Sequence, residues 1–225
     1  MKFSEIASLL RGVPYISGNN ARRLYDFVRD QQPRDCLELG FAHGASSLYI
    51  AAALEENGGG SLTSVDLPSS STLTPSIEDL AAKTGLGRYL SVVRETTSYT
   101  WFLKKELERR TGPRYDFCFI DGAKNWTVDG CAFFLVDRLL RQNGWLLFDD
   151  YTWTYADQER RTGKSVSDGI VHRGLGRDEL EQPHVKLIFD LLVTTHPDYG
   201  EFRVEDDSWA WAHKVPAYRV RSTAS

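Results

Sequence analysis

Most features that declare a function outright are missing from this chain of 225 residues. Cysteine is scarce: Cys36, Cys118 and Cys131 sit singly in apolar segments, an odd count with no C-x-x-C pair. That excludes a disulfide framework or a cysteine zinc cluster and leaves reduced core thiols as the expectation. Positive charge is not in excess, with 27 Lys and Arg against 31 Asp and Glu and a net charge of −4, so nothing draws the chain in bulk to nucleic acid or an anionic membrane. The opening MKFSEIASLL is too short an apolar run, and carries an acid too early, for a signal peptide or a span. A cytoplasmic protein with neither membrane nor nucleic-acid partners is the expectation. Internal repeats and low-complexity tracts are absent too.

What is present suits one globular core. Hydrophobic residues make up 41% and aromatics 12%, enough for a single domain over residues 1–225. Residues 3–10 and 19–30 carry apolar side chains at helical spacing around a turn-rich GVPYISG, giving a helical segment over residues 1–32. Strands are expected at 35–40, 61–66, 89–94, 117–120 and 145–148, and helices at 42–54, 76–84, 100–110 and 128–141. Such alternation predicts an α/β fold, Rossmann-like and doubly wound, with a mostly parallel sheet. Residues 183–195 form an apolar helix by their pattern, and 201–204 with 209–213 a closing antiparallel hairpin. The charged, glycine-rich stretch 152–182, just past a strand, has the character of an irregular insert or lid.

Acid gathers where such a sheet binds ligands. The run FCFI stops on Asp121 and WLLF on Asp149 and Asp150, and in open parallel sheets the crevice beyond the carboxyl ends of the strands is the binding place. The first strand–helix turn reads Glu38-Leu-Gly40-Phe-Ala-His-Gly44. A dinucleotide fingerprint would be G-x-G-x-x-G, with a pyrophosphate against the backbone; here Glu38 would repel it. An amino-acid-bearing nucleoside without phosphates fits better, its cationic end suiting Glu38 and its ribose suiting Asp66 at the end of the second strand.

This ordered set of glycine loop, ribose acid, IDGAK and FDD resembles the class I S-adenosylmethionine-dependent methyltransferases. Over Asp35–Tyr151 it is most similar to the metal-dependent O-methyltransferases of the catechol and caffeoyl-coenzyme-A type and their sugar-modifying relatives. The resemblance implies that Glu38, Gly40 and Gly44 form the donor loop, that Asp66 holds the ribose hydroxyls and that Thr97 and Ser98 lie near the adenine. It implies that Asp121, Asp149 and Asp150 bind Mg²⁺, a hard cation that takes oxygen ligands, and that Lys124 stands at the general-base position beside Asp121. An unperturbed lysine titrates near ~10.4, so that role needs a depressed pKa. Ala123 departs from the pattern, which has an aromatic there against the adenine; Trp101 and Trp126 are candidate substitutes.

The implied reaction is methyl transfer to a hydroxyl of a small acceptor such as a sugar, phenol or secondary metabolite, with a homodimer as the common assembly. Trp153 and Tyr155 are the expected pocket lining, and Arg160, Arg161 and Lys164 candidate contacts to an anionic acceptor. His43, His172 and His184 are left outside the site, and Trp145, Trp209 and Trp211 are assigned to packing. Two other readings remain: a metal-independent methyltransferase on nitrogen or carboxylate, and a non-catalytic cofactor-binding protein of the same fold.

Overall fold

Ser17 starts the longer of the two amino-terminal helices and Gln32 stops it. The serine hydroxyl accepts the backbone N–H of Asn20 at 3.1 Å, and Gln32 takes a left-handed φ of 51° just before Pro33. The computed structural model describes residues 1–164 and 174–215. Its order is α1 (Phe3–Leu9), α2 (Gly18–Gln31), β1 (Asp35–Leu39), α3 (Ala45–Glu56), β2 (Ser61–Asp66), α4 (Ile77–Thr84), β3 (Leu90–Arg94), α5 (Tyr99–Glu108), β4 (Tyr115–Ile120), α6 (Trp126–Leu139), β5 (Leu140–Phe148), α7 (Tyr155–Thr162), α8 (Arg177–Leu180), α9 (His184–Ile188), β6 (Tyr199–Glu205) and β7 (Trp209–Lys214). The strands form one mostly parallel sheet in the order β3-β2-β1-β4-β5-β7-β6, so the α/β, Rossmann-like doubly wound expectation holds.

Two compact units divide the chain, Met1–Tyr99 with Tyr115–Phe117, and Thr100–Arg114 with the residues from Cys118 onward. In the first, β1 and β2 run parallel with Glu38 opposite Ser64 and Leu39 opposite Val65, and β2 and β3 pair Asp66 with Arg94. Helix α3 is buried from Ala45 through Leu54. Its Ala51-Ala52-Ala53 run has no polar face to give to water, as expected of a helix enclosed on all sides.

In the second unit the hairpin β6–β7 closes the sheet antiparallel, with Phe148 of β5 opposite Ala210 of β7. Trp209, Trp211, Phe119, Phe133 and Phe148 are among its large buried side chains. Asp206 and Asp207 both have φ near 50° and the Ser208 N–H bonds the Glu205 carbonyl at 3.0 Å. Two left-handed residues at the turn centre match the right-handed twist of the flanking strands.

Several local expectations need correction. Helix α3 starts at Ala45, not Ala42, because Ala42 and Gly44 are left-handed, at φ 45° and 87°. Strand β5 begins at Leu140 and takes the end of the expected 128–141 helix. Residues 152–182 are not irregular throughout, since Thr154 caps α7 by accepting the Asp157 N–H and α8 follows at Arg177–Leu180; residues 165–173 of that insert, including His172, lie outside the described residues. Between β2 and α4, Pro68–Thr72 form a 3₁₀ turn. Helix α9 passes into a π-helical turn at Phe189–Val193. Cys36 and Cys118 are buried, but Cys131 is exposed, on the outward stripe of α6 with Thr127, Phe134 and Arg138.

Candidate active site

The loop after β1 is tied to the acid at the end of β2. Gly40 has φ 90° and its N–H reaches the Val65 carbonyl at 2.8 Å. Asp66 Oδ2 accepts the backbone N–H groups of Phe41 and Ala42 at 2.8 and 2.7 Å, and Oδ1 accepts that of Leu67 at 2.6 Å. A carboxylate offers about four acceptor positions, so one remains on Oδ1. Gly44 admits no side chain: a Cβ there would lie 2.5 Å from Ile77 Cγ1, and its φ is left-handed.

Glu38 lies at the bottom of this loop, fully buried. Ser46 Oγ donates to its Oε1 at 2.5 Å, Ser64 Oγ donates to Oε2 at 2.7 Å, and Ser47 Oγ also donates to Oε2. Burial pushes its carboxyl up to about 7 even though three hydroxyls favour the charged form. Ser98 is buried just ahead of α5, while Thr97 is exposed. Glu95, which the sequence reading passed over, is buried at the end of β3 with its N–H on the Asp66 carbonyl at 2.9 Å.

The second set belongs to the ends of β4 and β5. Oxygen atoms of Asp121, Asp149 and Asp150 all lie within 4.8 Å of one another. Lys124 Nζ lies 2.5 Å from Asp150 Oδ2 and 3.7 Å from Asp121 Oδ1. Asp149 Oδ1 accepts the Trp209 indole N–H at 2.7 Å and the Asp150 backbone N–H at 2.8 Å. Burial first, and the neighbouring Asp150 second, push the Asp149 carboxyl up to about 6.

Lys124 does not have the lowered pKa that a resting base needs. Burial alone would push it down, but Asp121 and Asp150 outweigh that and hold the ammonium above the ordinary lysine range. Three carboxylates and one ammonium leave a surplus of two negative charges when all are ionised, the charge a divalent ion carries. Hard oxygen donors with uncompensated charge fit Mg²⁺; the raised Asp149 carboxyl reflects burial first and Asp150 second. A further group, Asp137, His196 and Asp198, also comes together, but Lys214 Nζ already sits 2.8 Å from Asp137.

The aromatic and basic candidates separate. Tyr155 is buried with its hydroxyl donating to the Ala123 carbonyl at 2.8 Å, whereas Trp153 is half-buried, with Lys124 Nζ 5.8 Å from its ring centroid. Trp101 and Trp126 are exposed on α5 and α6. Arg160 is spent on Asp157 and Glu181, and Arg161 on Gln158. His43 and His184 are not surface residues: His43 Nδ1 lies 2.6 Å from the Pro75 carbonyl, and His184 Nδ1 accepts the Trp126 N–H at 3.0 Å. Trp209 is more than packing. Nothing in an alternating strand sequence marks which tryptophan turns its N–H toward an acid.

Against known proteins, the profile of a family described as a methyltransferase domain matches residues 37–151. Solved structures share the fold. An O-methyltransferase of tomaymycin synthesis from Streptomyces achromogenes, in complex with S-adenosylmethionine, is 17% identical with a TM-score of 0.63, over 95% of this chain and 89% of that one. A putative caffeoyl-CoA O-methyltransferase from Staphylococcus aureus is 20% identical, TM-score 0.62, over 94% and 90%. A Bacillus cereus O-methyltransferase in complex with SAH is 18% identical, TM-score 0.63, over 95% and 92%. No curated protein matches the sequence.

Proposed function

Since the chain belongs to the methyltransferase-domain family, we propose that it is an S-adenosylmethionine-dependent O-methyltransferase that uses Mg²⁺ and a small hydroxylated acceptor. The observation that carries the metal-dependent reading is the cluster of Asp121, Asp149 and Asp150 with its surplus negative charge. The donor reading rests on the loop of Gly40 and Gly44, braced by Glu38 and Asp66; the free acceptor position of Asp66 suits a ribose hydroxyl. Glu38, spent on three serines, shapes the loop from beneath and acts on a cationic donor end through its charge.

A divalent cation held by the three carboxylates supplies positive charge that lowers the pKa of a hydroxyl beside it. The chain's own residues do the rest. The acids fix where the acceptor oxygen sits, and orientation of a nucleophile toward the sulfonium carbon is itself a large part of the barrier. Transfer of the methyl to that oxygen would break its bond to sulfur and leave the neutral thioether, with the hydroxyl proton going to solvent, or to Lys124 once Asp121 and Asp150 no longer hold it as ammonium. In the ammonium form that the acids enforce, Lys124 accepts no proton; it becomes a base only when the charge of Asp121 and Asp150 is spent on another cation.

The ion pair of Lys124 with Asp150 also supports a second reading, in which the ammonium alone balances the acids and transfer proceeds without metal. One experiment separates the two. Release of S-adenosylhomocysteine is followed with catechols, caffeoyl esters and sugars as acceptors, in Mg²⁺ and in excess EDTA. Turnover in Mg²⁺ that disappears in EDTA supports the metal-dependent reading, and equal turnover in both overturns it. Absence of S-adenosylmethionine binding in calorimetry removes both.

A further inference from the structure

The carboxyl-terminal hairpin reaches the acid cluster chiefly through Trp209, with the Ser208 hydroxyl donating more weakly to Asp149 Oδ1 at 3.5 Å. Trp209 opens β7, is 1% exposed, and lies edge-on to Phe119 and Trp211 at centroid distances of 5.9 Å each. Its indole N–H donates to Asp149 Oδ1 at 2.7 Å, the same oxygen that takes the Asp150 N–H at 2.8 Å. Main-chain bonds hold the two pieces in register. The Tyr151 N–H donates to the Ser208 carbonyl at 2.8 Å and the Thr152 N–H to that of Asp207 at 3.2 Å, and the Thr152 hydroxyl also donates to the Asp207 carbonyl at 2.7 Å.

We propose that Trp209 is a positioning residue that commits Asp149 to one-oxygen metal ligation: its indole N–H and the Asp150 N–H, with the Ser208 hydroxyl farther off at 3.5 Å, occupy Oδ1 and leave Oδ2 for the ion. This rests on the metal-dependent reading above. A carboxylate with a free χ2 can rotate, offer either oxygen or chelate with both, whereas a buried indole clamped by two aromatic neighbours cannot follow it. The donor therefore selects a rotamer and lowers the cost of ordering the site. Hydrogen-bond partners behind metal ligands typically contribute 10–100-fold in affinity.

Trp209→Phe keeps the aromatic packing and deletes only the donor, and Trp211→Phe makes the same deletion on the adjacent buried indole, which bonds Glu205 instead. Mn²⁺ binding is measured by calorimetry and by electron paramagnetic resonance on metal-stripped protein, with thermal unfolding in EDTA as the check on folding. Trp209→Phe is expected to bind Mn²⁺ about tenfold or more weakly, with Trp211→Phe and S-adenosylhomocysteine affinity in EDTA unchanged. Wild-type affinity in Trp209→Phe overturns the positioning role while leaving the metal reading intact; failure of wild-type protein to bind Mn²⁺ overturns both. Should Trp209→Phe unfold, Trp209→His, whose ring N–H can donate, replaces it: retained Mn²⁺ affinity supports the role, and loss in a folded protein overturns it.

Discussion

Asp66 holds the Ala42 backbone N–H at 2.7 Å, so the acid that ends β2 is also a strut of the loop that follows β1. One carboxylate organises three amides and offers its remaining lone pair outward. Asp66→Ala strips all three of their acceptor, and hydrogen bonds to a charged group are each worth about 1.5–3 kcal/mol. Stability is expected to fall by about 2–3 kcal/mol after partial rehydration of the loop, with S-adenosylmethionine affinity down at least about tenfold, near 1.4 kcal/mol. Urea unfolding and calorimetry read the two effects separately. An unchanged midpoint would show that the loop does not lean on this acid.

Gly44 meets two obstacles to any side chain, its left-handed φ and Ile77 at 2.5 Å, whereas Gly12 meets only the first, with φ 85° and nothing within 4 Å of a Cβ. Gly12→Ala should cost about 1–2 kcal/mol, the strain of an L-residue in that conformation. Gly44→Ala adds overpacking of about 1–3 kcal/mol, and should also weaken donor binding by shifting the start of α3. Equal unfolding midpoints for the two variants would count against the Ile77 contact.

Glu38 makes stability depend on pH in an unusual direction for an acid. Its carboxyl stands near 7 in the folded chain against an ordinary 4.5, chiefly because it is buried. Between those values the folded state holds a proton that the unfolded chain has lost, so this group favours folding below about pH 4.5 and that contribution fades as pH rises to about 7. Above it the group costs on the order of 3 kcal/mol. Glu38→Gln, which can still accept from a serine hydroxyl, should raise the melting temperature at pH 8 and leave it nearly unchanged near pH 5. A variant less stable than wild type at pH 8 would mean that the serines outweigh the burial.

The strands and the acids at their ends were legible because both follow local rules. An apolar run such as Phe117–Ile120 has few places to go but a buried strand, and Asp at its end follows from topology. Boundaries slipped where one residue's backbone decides: Ala42 adopts a left-handed φ that no periodicity announces. The partners of the acids were illegible for another reason. Ser64 reaches Glu38 across 26 positions and Trp209 reaches Asp149 across 60, and such contacts arise only from strand register. Lys124 was legible in position but not in charge state, which three carboxylates around it set together.

Asp150 is where this acid cluster carries more charge than a site built with an amide there would. It binds Lys124 Nζ at 2.5 Å and is the second cause, after burial, of the raised Asp149 carboxyl. Asp150→Asn keeps an oxygen for a cation but removes one negative charge. In the metal-free protein Asp149 should then titrate below 6 and Lys124 lose its closest partner, so carboxylate titration followed by NMR is expected to move toward the ordinary aspartate range. Divalent affinity should weaken by about tenfold, the scale of one lost charge interaction of 1–2 kcal/mol in a half-buried site. Turnover at saturating Mg²⁺ should survive, whereas Asp149→Ala and Asp121→Ala, which delete ligands outright, should abolish it at any concentration. If Asp150→Asn binds Mn²⁺ as tightly as wild type, then Lys124 already cancels the charge of Asp150 and the ion is held by Asp121 and Asp149 alone.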